Sequence, residues 1–256
     1  MNIGVAIVTY NNSRDIARCI ASVRKEGLQH IAVVDSKSTD ATQQELTRLG
    51  CEYQVTDENK GFGYAANKAA RMLNTEYVLF INPDSYIQSG AVARVIQTIT
   101  THPHAGVIGM LLCSPVGKPE AFGYGDEPSM LKIITRRFFR ESLSEKPFYT
   151  DWVSGGAFMI SKKVFDDICG FDEGFFMYWE DVDLCKRVRG MGYKILMDPQ
   201  ARVTHMRGGS SMDENEKATI YDQSADRYFK KHYSTTIWYI QRLLRKWYRA
   251  YYSRPS

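Results

Sequence analysis

The sequence predicts an α/β fold built on a mostly parallel central sheet flanked by helices. Three observations carry that prediction. Short, wholly apolar runs alternate with longer stretches of helical periodicity, the apolar runs lack the in–out alternation of half-exposed strands, and polar clusters follow three of the first four runs. The chain has 256 residues, 44% hydrophobic and 24% charged. That is enough to bury a sizeable core in one large domain, or one and a half, without disulfides or metals as staples.

Ile3–Val8 (IGVAIV) reads as the first strand and ends at Thr9-Tyr10-Asn11-Asn12. A helix over Asp15–Lys25 follows from Ile16, Cys19, Ile20 and Val23 at helical spacing. Ile31–Val34 is a second strand that stops at Asp35-Ser36-Lys37-Ser38-Thr39-Asp40. Residues 41–50 are helical, Glu52–Val55 fits a third strand, and Gly61–Leu73 is glycine-rich and then helical. Tyr77–Ile81 (YVLFI) is a fourth strand, closed by Asn82-Pro83-Asp84.

Further on, Ala91–Thr100 has a helical pattern and Gly106–Leu112 a strand pattern. Pro115, Pro119, Pro128 and Pro147 punctuate a less regular stretch with a basic, aromatic segment, Lys132–Arg140, part of which is expected to be mobile. Trp152–Ile160 (WVSGGAFMI) resembles a strand interrupted by glycines, and Lys162–Ile168 a short helix. Aromatic Phe171–Trp179 leads to Glu180-Asp181-Val182-Asp183, which opens a helix over Leu184–Met191, since carboxylates favour a helix N-terminus. Lys194–Met197 is another strand and Val203–Ser211 a glycine-containing loop. There is no internal repeat and no Gly/Ser linker.

Composition excludes several classes. A net charge of +4 is too small to argue for nucleic acid. Cys19, Cys51, Cys113, Cys169 and Cys185 are odd in number and form no C-x-x-C pair, so they read as thiols of a reducing compartment. Met1 runs straight into a strand without a signal-like segment, and no run of roughly 18 apolar residues suggests a membrane span, so the expected location is cytoplasmic. A G-x-x-x-x-G-K-[ST] loop is missing, against a phosphoryl-transferring NTPase.

In open parallel sheets ligands bind beyond the carboxyl ends of the strands, where the polar clusters lie. Asn82-Pro83-Asp84 can present Asp84 to a hard divalent cation beside a diphosphate, or can be a simple turn. Asp35 can reach a ribose hydroxyl or a base; the alternative, a helix cap, suits Thr39 or Asp40 better. The three carboxylates of Glu180–Asp183 repel one another, a costly way merely to cap a helix, and one of them can serve as a general base. Flanking Phe175, Phe176, Tyr178 and Trp179 suit stacking or the core. His205, after a strand and before Gly208-Gly209, can ligate a metal or contact a diphosphate, or be structural.

These motifs, in this order, resemble glycosyltransferase family 2, the inverting enzymes of the Rossmann-like GT-A fold, and especially its rhamnosyltransferase-like branch. The resemblance covers residues 3 to about 212 through VAIVTYNN, VVDSKSTD, NKGFGYAANKA (59–69), FINPDS (80–85), WVSGGAFMISKKVF (152–165), GFDEGFFMYWEDVDLCKRV (170–188) and His-x-x-Gly-Gly-Ser at 205–210. It implies that Thr9 and Tyr10 line the base, that Asp35 binds base or ribose, and that Gly61, Phe62, Asn67 and Asn82 shape the nucleotide pocket. It assigns a magnesium or manganese ion to Asp84 with His205, and donor or acceptor contacts to Gly155, Gly156 and Trp179. Asp181 becomes the general base, with Glu180 and Asp183 positioning substrate. Two departures stand out: Asn82 replaces the first Asp of the family's Asp-x-Asp motif, and Lys37 sits where many relatives carry a small residue.

The resemblance implies transfer of rhamnose from dTDP-rhamnose, or a hexose from a UDP-sugar, to a lipid-linked glycan in cell-surface polysaccharide synthesis. A sugar-phosphate nucleotidyltransferase, or a non-catalytic glycan- or nucleotide-binding module of the same fold, are the alternatives. The expected organisation is a catalytic domain over 1–232, with a donor part to about 112 and an acceptor part beyond, then a basic, aromatic helix over 233–256. In that helix Ile237, Ile240, Leu244, Trp247 and Tyr251 fall on one face and Arg242, Arg245, Lys246 and Arg249 on another. This suits an interfacial helix at the inner face of an anionic membrane, or a helix packed on the domain with a solvated basic face.

Overall fold

The computed structural model describes residues 1–128, 144–206 and 213–252. The basic segment Lys132–Arg140 and the glycines of the His-x-x-Gly-Gly-Ser motif lie outside the described residues. The elements in chain order are β1 (Ile3–Thr9), α1 (Ile16–Lys25), β2 (His30–Asp35), α2 (Thr42–Arg48), β3 (Glu52–Val55), α3 (Phe62–Arg71), β4 (Tyr77–Ile81) and β5 (Ser85–Ile87). Next come α4 (Ala91–Thr101), β6 (Ala105–Cys113), β7 (Tyr124–Gly125), β8 (Phe148–Thr150), β9 (Trp152–Val153), β10 (Ala157–Ser161) and α5 (Lys162–Asp167). The last are α6 (Glu180–Gly190), β11 (Lys194–His205), α7 (Glu214–His232) and α8 (Thr235–Tyr252).

Among the described residues the main sheet has nine strands in the order β3-β2-β1-β4-β10-β6-β11-β5, with β8 also paired to β11. Strands β3, β2, β1, β4, β6 and β11 run one way; β10, β5 and β8 run the other. The apolar runs are buried on both faces, and their alternate residues feed two cores. Ala6, Ala32, Val78 and Phe80 pack against the alanines of α3 (Ala65, Ala66, Ala69, Ala70) and against the aromatic layer under α6 and α7. Val5, Ile7, Val33, Leu79 and Ile81 pack on the other face, against Ile16, Cys19, Ile20 and Val23 of α1 and Val92 and Val95 of α4. The α1 residues are the stripe that the periodicity predicts.

Register places the site. Thr9 lies beside Asp35 and Ile7 beside Ile81, so the three polar clusters leave the sheet at one edge. Antiparallel β10 brings Ala157 opposite Ile81, and the Asn82 backbone N–H donates to the Gly156 carbonyl at 3.0 Å.

Several boundaries differ from expectation. The run 152–160 is two strands: β9 pairs with β7 in a separate small sheet, β10 joins the main one, and the glycines turn the chain between them. Helix α6 begins at Glu180, so the carboxylates occupy its first turn rather than preceding it. β11 continues past an irregularity at Asp198/Arg202 to His205, making Val203–His205 a strand paired with β5 and not a loop. Helix α7, absent from the sequence reading, is capped by Asp213, whose side chain accepts from the Glu216 N–H at 2.7 Å, and it buries Ala225, Tyr228 and Phe229.

The C-terminal helix corrects the expected face assignment. Arg245 turns inward, 10% exposed, onto Asp222 and Asp226 of α7, and Arg242 reaches Asp226 at 3.4 Å. Outward lie Tyr239, Ile240, Leu243 and Trp247. Ile237 packs against the core and Leu244 is half-buried, while the side chains of Lys246, Arg249 and Tyr251 fall outside those described. Among the described residues no helix is long and apolar enough to cross a membrane.

Candidate active site

A cavity of about 460 Å³ opens at the carboxyl edge of the sheet, between the β9–β10 turn, the start of α6 and the end of β11. Its floor is built by an unusual entry into α6. Tyr178 and Trp179 both adopt left-handed backbone, φ 69° and 68°, which non-glycine side chains seldom do and which the packing around them must hold in place. The Trp179 ring is clamped by Tyr221, Tyr228 and Phe229 at centroid distances of 5.6, 5.1 and 5.8 Å. This turn throws Glu180 and Asp181 into the cavity wall.

Asp181 is held from two sides. Its Oδ2 accepts the Gly155 backbone N–H at 2.9 Å and its Oδ1 accepts the Val182 N–H at 2.8 Å. Burial pushes its pKa above the usual aspartate value, and the backbone N–H groups offset only part of that. Glu180, 6% exposed, is pushed well above the ordinary glutamate range by burial first and by the Asp181 charge second. Its Oε2 is buried without a hydrogen-bond partner. Of the two neighbours, Asp181 has the donors that stabilise a charge, so the proton belongs on Glu180. A carboxylate with a raised pKa, fixed at a helix N-terminus and facing a cavity, is equipped to take a proton from a bound hydroxyl.

A second polar group centres on His205, which with Glu120 lines the cavity, while Asp84 lies behind His205 and not in the lining. His205 Nε2 is 3.3 Å from Asp84 Oδ1, and its Nδ1 is 3.2 Å from the Glu120 carboxylate. Burial alone would lower the His205 pKa; the two carboxylates outweigh it and raise it to about 9. One carboxylate oxygen and one imidazole nitrogen, both largely buried, match the donor types that a hard divalent cation accepts. Among the described residues no three His, Cys, Asp or Glu side chains converge as a complete metal cage.

The remaining sequence-predicted residues divide. Phe62, Asn82, Gly155, Gly156 and Trp179 line the cavity. Gly61 (φ 94°) is demanded by packing, because a Cβ there would lie 2.1 Å from the Phe176 carbonyl oxygen. Thr9, Tyr10 and Asp35 lie along the same sheet edge but outside this cavity. There the Asn11 N–H donates to Ser38 Oγ and the Thr39 N–H to Asn11 Oδ1, tying the first two loops together. Asp35 accepts from the Ser38 backbone and hydroxyl and from Gln43, so it builds its own loop. Lys37 takes left-handed backbone (φ 65°), the physical reason a small residue would suit that position.

Two assignments are corrected. Asn67 does not face the cavity: its amide bonds both the N–H and the carbonyl of Phe171, and it fixes the loop before α6. Asp183, fully buried, points away from the cavity into a cluster with Arg187, His232 and Lys231. Burial would raise its pKa, but those partners lower it below the usual range. It anchors α7 to α6.

Glu120, Phe122, Ser154 and Tyr221 also line the cavity, and sequence reasoning missed them. Glu120 sits in the proline-punctuated stretch, without periodicity or motif to mark it.

The glycosyl transferase family 2 model matches residues 4–169, nearly two thirds of the chain. The chain belongs to glycosyl transferase family 2. A second model, described as the N-terminal domain of galactosyltransferase, matches residues 137–208 of this glycosyltransferase. The enzyme is similar to the N-acetylglucosaminyl-diphospho-decaprenol L-rhamnosyltransferase of Mycobacterium tuberculosis, 28% identical over 240 residues, covering 81% of this chain and 76% of the relative. It is also similar to the rhamnosyltransferase WbbL of Escherichia coli K12, 23% identical over 217 residues, covering 78% and 82%. Among solved structures, the mannosyltransferase PcManGT from Pyrobaculum calidifontis in complex with GDP-Man and Mn2+ aligns with a TM-score of 0.65 at 16% identity, over 94% of this glycosyltransferase and 69% of that chain. GalNAc-T7 with UDP, GalNAc and Mn2+ aligns at 0.67 and 15% identity, over 89% and 50%. At such identities the likeness shows the fold, GT-A.

Proposed function

We propose that this glycosyltransferase moves a sugar, rhamnose from dTDP-rhamnose or else a hexose from a UDP-sugar, to a hydroxyl of a lipid-linked glycan, with inversion at the anomeric carbon. The observation that carries the reading is the Asp181 carboxylate, held on Gly155 and facing a cavity that His205, paired with Asp84, also lines. The two rhamnosyltransferase relatives, one of them named for a decaprenol-linked substrate, support the donor and acceptor class.

In this reading Asp181 takes the proton of the acceptor hydroxyl as its oxygen attacks the anomeric carbon and the bond to the nucleoside diphosphate breaks. A single in-line displacement needs no covalent intermediate, so configuration inverts. Proton removal by a placed base contributes about 10²–10⁴-fold in rate. Asp84 and His205 are the residues that would hold a magnesium or manganese ion, which when bound offsets charge developing on the diphosphate. Two structural neighbours solved with Mn2+ support the use of a divalent ion. Thr9, Tyr10 and Asp35 with Gly61 border the nucleotide, Phe62 and Asn82 lie between nucleotide and sugar, and Gly156 and Trp179 contact donor or acceptor. Glu180, in the same cavity wall, positions substrate.

The protein also works at a membrane in this reading, through an outward face of α8 that joins Tyr239 and Leu243 to the expected Ile240 and Trp247. Tyr239, Leu243 and Trp247 of α8 are 56%, 60% and 61% exposed, an apolar stripe suited to the headgroup boundary. Cosedimentation with liposomes tests this: Leu243→Asp should release protein from the vesicles, and equal binding by the variant overturns it.

Release of nucleoside diphosphate from a panel of sugar nucleotides, with and without manganese, tests the reaction. Turnover of one donor, lost in Asp181→Asn and made metal-independent or absent in Asp84→Asn, is the expected pattern. Turnover undiminished in Asp181→Asn overturns the base assignment.

A further inference from the structure

Glu120 takes no part in the reaction outlined above, yet its place is over-determined. Strand β6 ends at Cys113, and a tight turn follows in which the Gly117 N–H donates to Ser114 and the Ser114 N–H to Lys118. Gly117 takes the left-handed backbone (φ 79°) this turn needs. The returning chain bridges Pro119 to Cys113, and the Glu120 N–H donates to the Leu112 carbonyl at 2.9 Å. Three residues on, the Gly123 carbonyl accepts from the Ser154 N–H at 2.8 Å. Glu120 is therefore pinned between the end of β6 and the turn that carries Gly155.

β11 lies parallel to β6, with Thr204 beside Cys113, so His205 emerges next to that turn. Both Glu120 oxygens then lie 3.2 Å from His205 Nδ1. The Glu120 side chain is 8% exposed, a burial that a carboxylate tolerates only with a donor or cation against it. The two nitrogens of an imidazole point apart. A carboxylate on Nδ1 cannot share an ion held at Nε2, so Glu120 is not placed as a further ligand alongside Asp84.

We infer that Glu120 is a positioning residue: it holds the proton on His205 Nδ1 and fixes the ring so that Nε2 faces Asp84, the pair that would hold the ion. Resting on the metal reading above, this adds an outer carboxylate that no motif marks. A carboxylate behind a ligating imidazole fixes its tautomer and ring orientation and strengthens it as a donor. It also makes the β6–β7 turn, whose Phe122 lines the same cavity, a mechanical part of the diphosphate pole.

The test is direct titration of the full chain with Mn2+ by electron paramagnetic resonance, in the presence of UDP and, separately, dTDP. It is joined by nuclear magnetic resonance of the His205 ring nitrogens and their protons. Glu120→Ala should weaken Mn2+ about 10–100-fold, and Glu120→Gln, which keeps an acceptor without the charge, should recover part of the loss. The wild type should show a low-field, hydrogen-bonded Nδ1–H proton that Glu120→Ala lacks. Manganese affinity within twofold of wild type in Glu120→Ala, or an Nδ1–H signal unchanged by the substitution, overturns the inference. Should the wild type bind no Mn2+ at all, the metal reading of Asp84 and His205 falls. The Nδ1–H signal alone then decides whether Glu120 orients His205.

Discussion

The Gly155 backbone N–H donates to Asp181 Oδ2 at 2.9 Å, joining a turn between two strands to the first turn of a helix 26 residues away in sequence. That bond aims the carboxylate at the cavity while leaving its charge only partly compensated. Asp181→Asn keeps an acceptor for Gly155 and should fold normally. Its kcat should fall by about 10²–10⁴-fold with donor KM little changed. Nucleotide release under saturating donor checks this, and a comparable rise in KM instead would point to a binding role.

The pH profile should carry the same residue. Burial raises the Asp181 pKa above its ordinary 3.8, so the base becomes active only at higher pH. The acid limb of kcat should therefore fall off above the pH range of a free aspartate. An acid limb at or below 3.8 would show that Asp181 does not control the rate.

Asp183 belongs to stability rather than chemistry. It is fully buried and bonded to His232 at 2.7 Å and Arg187 at 2.7 Å. Removing one member of a buried charge cluster typically costs about 3–5 kcal/mol. Asp183→Ala should lower the unfolding midpoint strongly while the folded fraction keeps most of its kcat. A fully stable but inactive variant would return Asp183 to the active site.

Glu127 should shape the acid stability of the fold. Burial raises its pKa, but Lys186, Tyr233 and Arg189 outweigh that and bring it down to about 2. A group depressed in the folded state contributes stability above its unfolded pKa, here 4.5, and loses that contribution as pH falls toward 2. Denaturant titrations between these limits should show wild type losing stability faster than Glu127→Gln. Parallel curves would place the acid sensitivity elsewhere.

Gly61 tests the packing of the nucleotide side. At φ 94°, with a methyl group at this position only 2.1 Å from the Phe176 carbonyl oxygen, Gly61→Ala is both strained and obstructed. Strain of this kind costs about 1–3 kcal/mol before the clash is relieved. Thermal unfolding should show the loss, and donor KM should rise as the Phe62 turn shifts. An unchanged midpoint would mean that the loop yields freely.

Much of the molecule was readable in one dimension. β3 and β4 have the predicted bounds, and the apolar spacing in α1 names the residues that face the core. These are local properties: an all-apolar run has to be buried, and a period near 3.6 makes one buried stripe. The polar clusters after β1, β2 and β4 gather at one edge for the same reason, since a parallel sheet collects its carboxyl ends on one side. Less was legible where pairing partners are distant. Nothing in 194–205 shows that the chain keeps its strand past Asp198, because β5 supplies the second half of the ladder.

By itself the sequence determined the sheet and its helical cover, the edge where chemistry gathers, and the candidate carboxylates and histidine, because hydrophobic period and local turn chemistry are written residue by residue. Only the tertiary structure decided the roles within those groups. It turned Asp181 to the cavity and the neighbouring Asp183 to a buried cation cluster, since helix positions about 100° apart per residue meet different surroundings. It set Asn67 to hold a loop, faced Arg245 inward, and brought Glu120 behind His205. Each of these outcomes depends on what lies opposite in space, a quantity that spacing along the chain does not contain.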